Sequence, residues 1–202
     1  MARTQAADYD DRKLGIVEAA AALYASRGFN GASVADLAER CKTSKSLIYH
    51  YYQSKEDILF DVMISHVRAL DEAAREAVEG EGAAAEKLRR LAHAFMGLYV
   101  GAADRHKVLL NELDNLDDKR RGEIVKTQRG LIEIVQNLLA EIEPKLEGRT
   151  GESYAAAMLF FGMINWTHTW FDPKGPVSAD TIADMAVDVV LSGLARPNGG
   201  RE

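Results

Sequence analysis

Ile58, Leu59, Val62, Met63, His66, Val67, Leu70 and Ala74 place an apolar or aromatic side chain at every third or fourth position across residues 58–74. Such a row forms a single stripe only on an α-helix, where 3.6 residues make one turn. The same spacing recurs in Leu14, Ile16, Val17, Ala20, Ala21, Leu23 and Tyr24, and again in Leu88, Leu91, Ala92, Phe95 and Tyr99. Long alternating β-branched runs are absent, and alanine, leucine and glutamate dominate. The chain is therefore expected to be all-α, with about nine helices. Its 202 residues suit one large domain or two small ones, and 47% hydrophobic residues suffice for a core.

Stop and start signals divide the chain. Gly28 ends a helix predicted over Asp10–Arg27. Ser33 caps a short helix, Val34–Arg40, with Asp36 three residues on as a capping-box partner. After the turn "CKT", Thr43 or Ser44 caps a helix over Ser44–Tyr51. Ser54 caps a long helix, Lys55 to Val78, whose first turn carries Glu56 and Asp57 against the helix dipole. "EGEGAAAE" breaks the pattern. Further helices are predicted over Ala84–Gly101, in "ADRHKVLLNEL", up to Pro144, from Thr150 or Gly151 to Trp170, and over Ala179–Leu194 behind the cap Ser178. The expected organisation is a shorter helical part over 1–54, a longer helical part over 55–195, and 196–202 as a disordered tail.

Charge is unevenly distributed. Residues 1–60 hold eight Lys/Arg and eight Asp/Glu, whereas residues 61–202 hold 17 and 23 and so carry the whole net charge of −6. Residues 40–55 include Arg40, Lys42, Lys45 and Lys55 and no acid. A basic face on an acidic chain is a partner signal. One cysteine, Cys41, excludes an internal disulfide and fits a reducing compartment. The start lacks an apolar signal region, and "AAAMLFFGMINW" is too short to span a membrane. A cytoplasmic protein with no membrane partner is the expectation.

The spacing of Val34–Arg40 and Ser44–Tyr51 is that of a helix-turn-helix, with Ala38 small at the crossing and Leu37 and Ile48 apolar. The second helix of such a pair enters the DNA major groove and must present donors rather than carboxylates. Lys45, Ser46, Tyr49 and His50 meet that requirement. The stretch "GFNGASVADLAERCKTSKSLIYHYYQSKEDIL" resembles the N-terminal DNA-binding domain of TetR-type transcriptional regulators. The resemblance rests on Gly28, Phe29, Ser33, Ala35, Ala38, Ile48-Tyr49, Tyr52 and Ser54-Lys55-Glu56. It implies a double-stranded operator as partner, with Lys45 and Ser46 at base edges, and Ser33, Thr43, Tyr49, Tyr51 and Lys55 at phosphates; His50 could serve either role. It also implies that Tyr52 packs in the core and that Cys41 sits behind the turn. Lys42 departs from the family's usual glycine. If this position is left-handed, lysine costs roughly 1 kcal/mol there.

The remainder carries no G-x-S-x-G, P-loop, GxGxxG or H-E-x-x-H arrangement, so no catalysis, cofactor or metal is expected. His66, His93, His106 and His168 are scattered, which argues against metal ligation. Helix-lined apolar surface is the expected small-molecule site. Phe95, Met96 and Tyr99 supply one wall. Phe160, Phe161, Asn165, Trp166, Thr169 and Trp170 supply the other, the two tryptophans sharing a helix face. The family resemblance implies a homodimer through the last two helices, for which Met158, Gly162, Ile182, Met185, Ala186, Val189, Val190 and Gly193 offer a seam. The end of the chain also resembles a branch responding to acyl-CoA thioesters, through Asn165-Trp166, Trp170, the Pro-Gly loop and Gly193-Leu194. The implied function is a ligand-responsive repressor released from a palindromic operator by a small apolar effector. The rival readings are a helical ligand-binding or interaction protein without DNA, and a small helical enzyme.

Overall fold

The computed structural model describes residues 2–195, with side chains from residue 9 onward. The expected tail 196–202 lies outside the described residues. Among these there are nine α-helices and no strand: α1 Ala2–Arg27, α2 Val34–Arg40, α3 Lys45–Tyr51, α4 Lys55–Glu79, α5 Ala84–Gly101, α6 Ala103–Asn111, α7 Asp118–Ile142, α8 Thr150–Asn165 and α9 Ala179–Leu194. Short 3-10 turns lie at Leu113–Asn115, Pro144–Leu146 and Trp166–Thr169. α1 begins earlier than its apolar row, because its first two turns are polar and carry no period to read.

The chain divides into two compact units. The first takes the chain up to Val67 together with Ala102–Val125. Its core gathers Ile16, Val17, Ala20, Leu23 and Tyr24 of α1, Leu37 and Ala38 of α2, Ile48 of α3, and Ile58, Leu59 and Val62 of α4. α6 packs along α1 and buries Val108 and Leu109. Burying a side chain such as Leu37 or Ile48 contributes about 1.5–3 kcal/mol. Gly28 terminates α1 at φ +73°, its N–H donating to the Tyr24 carbonyl at 2.9 Å.

The short helices are held at their ends. The Ser33 hydroxyl accepts from the Asp36 N–H at 3.1 Å, and the Asp36 carboxylate accepts from the Ser33 N–H at 2.8 Å, a complete capping box. α2 ends in a Schellman turn. The Thr43 N–H reaches the Ala38 carbonyl at 2.9 Å, the Lys42 N–H reaches the Glu39 carbonyl at 3.0 Å, and Lys42 is left-handed at φ 52°. Ser44 then caps α3 through the Leu47 N–H at 3.2 Å. Tyr52 is buried, as expected, and its hydroxyl donates to Asp61 at 2.7 Å.

The second unit comprises Arg68–Gly101 and the chain from Lys126 onward. α5 contributes Leu88, Leu91, Ala92, Phe95, Met96 and Tyr99 to its core, and α8 contributes Ala157, Phe160, Phe161 and Ile164. α9 packs on both α5 and α8. Arg90 donates to the Ala77 carbonyl at 3.0 Å and so occupies one of the open carbonyls at the end of α4.

One boundary corrects the sequence reading. α8 stops at Asn165 instead of continuing to Trp170. The Thr167 hydroxyl donates to the Ile164 carbonyl, the His168 Nδ1 to the Asn165 carbonyl at 2.7 Å, and the Thr169 hydroxyl to the Trp166 carbonyl at 2.8 Å. Three successive side chains thus take carbonyls three residues back and tighten the turn from α to 3-10.

Candidate functional site

The α2–α3 pair fixes which α3 side chains turn outward. Ile48 is fully buried and holds one face of α3 inside the first unit. That leaves Lys45, Ser46, Tyr49 and His50 exposed, at positions that share the opposite face. Tyr49 is 53% exposed, far more than a tyrosine packed for stability alone. With no carboxylate between Arg40 and Lys55, this face is electrostatically open to phosphate.

The other expected contact residues are placed less uniformly. Thr43 is half-buried within the turn. Ser33 is exposed, but its hydroxyl and amide are both engaged with Asp36. Tyr51 is half-buried, its ring against Tyr9 of α1 with centroids 4.6 Å apart, and His50 meets the Tyr51 ring edge-on at 5.4 Å. Lys55 departs from the expected outward position. Its ammonium donates to the Phe29 carbonyl and lies 3.9 Å from the centre of the Phe29 ring. Burial lowers its pKa. Lys55 pins the loop after α1 onto the start of α4, because cation–π contact and a carbonyl acceptor outcompete solvent for it. Cys41 is half-buried, and burial raises its thiol pKa, which leaves it a weak nucleophile.

The expected effector residues fall into two sets in the second unit. Phe95, Met96, Tyr99 and Phe161 are buried together, with the Phe95 ring 6.1 Å from those of both Tyr99 and Phe161. Asn165 joins them as a polar partner, its side-chain oxygen accepting from the Tyr99 hydroxyl at 2.7 Å. Trp166, Thr169 and Trp170 lie outside this group. The tryptophans are 65% and 59% exposed, a consequence of the 3-10 turn that replaces the helix predicted there. A cavity of about 650 Å³ lies between the end of α4, at Ala73, Glu76 and Ala77, and the first half of α5, at Arg89, Arg90 and His93. None of the eight expected residues lines it.

Two side-chain clusters were not read from the sequence. Arg89 bridges Asp184 at 2.7 Å and Asp188 at 2.6 Å, while His93 meets Asp184 at 2.8 Å and Asp180 at 3.1 Å. The hydrogen bond to Asp184, with Asp180 adding to it, raises the His93 pKa. The signal was present: Arg89 and His93 are four apart on α5, and Asp180, Asp184 and Asp188 keep the same interval on α9. In the first unit, His66 and His106 are buried with Nε2 and Nδ1 3.2 Å apart. A separation of 40 positions hides that pairing from any local pattern. Among the described residues no group of three or more His, Cys, Asp or Glu comes together as a metal site, and no helix is long and apolar enough to cross a membrane.

Comparison with known proteins covers both units. Residues 16–62 match the family described as bacterial regulatory proteins, tetR family, and residues 81–194 match the tetracyclin repressor-like C-terminal domain. A TetR-family transcriptional regulator from Bordetella parapertussis 12822 is 36% identical, with a TM-score of 0.86 over 89% of this chain and 93% of that one. AibR, solved in complex with isovaleryl coenzyme A and operator DNA, is 26% identical, with a TM-score of 0.77 over 88% of this chain and 97% of that one. The transcriptional repressor KstR2 of Mycolicibacterium smegmatis is 24% identical over 92% of each chain. These families and relatives are transcriptional regulators, not enzymes. With a family match over more than half its length, an all-helical fold and an N-terminal helix-turn-helix, the chain belongs to the TetR family of ligand-responsive, DNA-binding transcriptional regulators.

Proposed function

We propose that the protein is a cytoplasmic, homodimeric repressor that holds a palindromic operator through two copies of α3 and releases it when an apolar acyl-CoA thioester binds. The observation that carries the DNA reading is the outward face of α3, where Lys45, Ser46, Tyr49 and His50 are exposed and free of neighbouring carboxylates. Lys45 and Ser46 face base edges, and Tyr49, Thr43 and Tyr51 face phosphates; His50 can serve either. Ser33 acts chiefly by positioning α2, and Lys55 by fixing α4, rather than by direct contact. Residues 1–54 carry DNA recognition, and residues 55–195 carry the effector and the dimer seam.

The effector class draws on AibR, solved with an acyl-CoA and operator DNA. In this chain Phe95, Met96, Tyr99 and Phe161 offer an apolar surround, and the Tyr99–Asn165 pair offers a polar handle suited to a thioester carbonyl. α4 runs unbroken from Lys55 to Glu79, so a ligand that prefers a shifted α4 changes the spacing of the two α3 helices. A preference of about 3 kcal/mol changes operator affinity more than 100-fold.

A gel shift with DNA upstream of the protein's own gene tests the first part. Lys45→Ala with Tyr49→Ala should abolish the shift and leave the dimer intact; an unchanged shift overturns the assignment of α3. Calorimetry with a panel of CoA thioesters tests the second. Binding that also releases the DNA supports the effector class, and no binding by any thioester refutes it.

A further inference from the structure

The contact between Tyr9 and Tyr51 joins the N-terminal part of α1 to the last turn of the recognition helix. The two rings are inclined by 33°, closer to a stack than to an edge contact. Tyr51 in turn meets the His50 ring in a perpendicular arrangement, at an interplanar angle of 89°. Tyr9, Tyr51 and His50 thus form one chain of rings that starts on α1 and ends on the exposed face of α3. Tyr9 itself is 42% exposed, so the chain lies at the surface.

α3 needs such support. It has seven residues, about two turns, and the chain becomes extended immediately after it at Tyr52, φ −137° and ψ 135°. A helix this short frays at its end, and a half-buried tyrosine on its last residue would sample several rotamers. Ordering Tyr51 and His50 at the moment of binding would cost conformational entropy that a preformed stack removes beforehand. Ile48 and Tyr52 anchor the middle and end of α3 in the core, and Tyr9 meets the Tyr51 ring from α1.

We propose that Tyr9 is a positioning residue for DNA recognition: its ring braces Tyr51, and through it His50, in the orientation that meets the operator. This rests on the reading of α3 as the DNA-contacting helix. The interaction surface then extends from α3 onto α1 through an aromatic contact, with no added charge.

The test uses the full-length protein and a duplex enriched from a random library by the wild type. Tyr9→Ala should bind that duplex about tenfold more weakly, the scale expected for loss of one aromatic stack. Its dimer mass should stay unchanged and its thermal midpoint should fall by only about 2–4 °C, because Tyr9 lies at the surface and outside the core. Tyr9→Phe should restore affinity to within about twofold of wild type, since the ring braces and the hydroxyl does not. Tyr9→Leu, which keeps apolar contact without a ring, should remain weak and serves as the comparison with Tyr9→Phe if the alanine variant folds poorly. In a Tyr51→Ala background, Tyr9→Ala should have no further effect. Wild-type affinity in both Tyr9→Ala and Tyr9→Leu overturns the inference, as does an undiminished tenfold loss in the Tyr51→Ala background; in either case DNA binding by α3 still stands. If the wild type enriches no duplex, the DNA reading falls and this inference falls with it.

Discussion

Lys42 is held left-handed, at φ 52°, where the Schellman turn after α2 places the position that glycine usually fills. A Cβ in that conformation costs about 1 kcal/mol. Lys42→Gly should therefore raise the unfolding free energy by about that amount, read from urea midpoints. The same substitution removes a cation from the face expected to meet phosphate. Operator affinity should fall and its salt dependence should become shallower. Opposite signs for stability and binding would show a side chain retained for DNA at the expense of the fold. His66 gives a second residue-scale prediction. Burial, with Arg105 adding to it, pushes its pKa down to about 4. The folded state therefore favours the neutral ring. Its contribution is fully present above pH 6.5 and is lost as pH falls towards 4. By pH 5 that loss should reach about 2 kcal/mol relative to pH 7.5. His93 has the opposite sign, because its raised pKa adds stability below pH 6.5 that is lost as pH rises through the folded value. Comparing wild type with His66→Gln at both pH values isolates the His66 part: the glutamine variant should lose about 2 kcal/mol less on acidification.

Helix ends carry much of the specification at the scale of elements. Ser33 closes its capping box on Asp36, and that engagement lowers the Asp36 pKa. Ser33→Ala should lower the unfolding free energy by about 1 kcal/mol, measurable by urea denaturation. If Ser33 acts by positioning α2, Ser33→Gly should recover most of that loss and the DNA affinity along with it. The caps at Ser33, Ser44, Ser54 and Ser178 were legible because a hydroxyl ahead of an apolar row has one favourable use. The end of α8 was not legible. Trp166 and Trp170 keep the helical interval, but three neighbouring side chains capture the carbonyls that an α-helix would need. That local competition also separates the expected effector residues into a buried group and an exposed one. Lys55 shows a related competition. Sequence shows a cation beside a recognition helix, and only the fold shows Phe29 close enough to take it.

At the scale of the molecule, α8 and α9 present apolar side chains on both of their sides. Ala157, Phe160, Phe161 and Ile164 on α8, with Ile182, Ala183, Ala186 and Val187 on α9, fill the core of their own unit. Ile182, Ala186 and Val190, expected at the seam, are already buried within the chain itself. The outer side keeps Tyr154, Met158, Leu159, Met185 and Val189 exposed, with Leu159 at 68% and Met185 and Val189 at 59%. Exposed apolar side chains of this size on two packed helices are unfavourable in a lone chain and fit a self-complementary contact. Leu159→Glu with Met185→Glu should halve the mass found by sedimentation equilibrium, to about that of the 22.2 kDa chain. Placing like charges opposite each other across a two-fold axis opposes association without touching the core of either copy, so the helical circular dichroism should be retained. DNA affinity should drop about 100-fold or more, because a palindrome is bound tightly only when both α3 helices are delivered together. A protein that stays dimeric with both charges in place would put the seam elsewhere, and one that becomes monomeric yet keeps full operator affinity would break the link between the seam and DNA recognition.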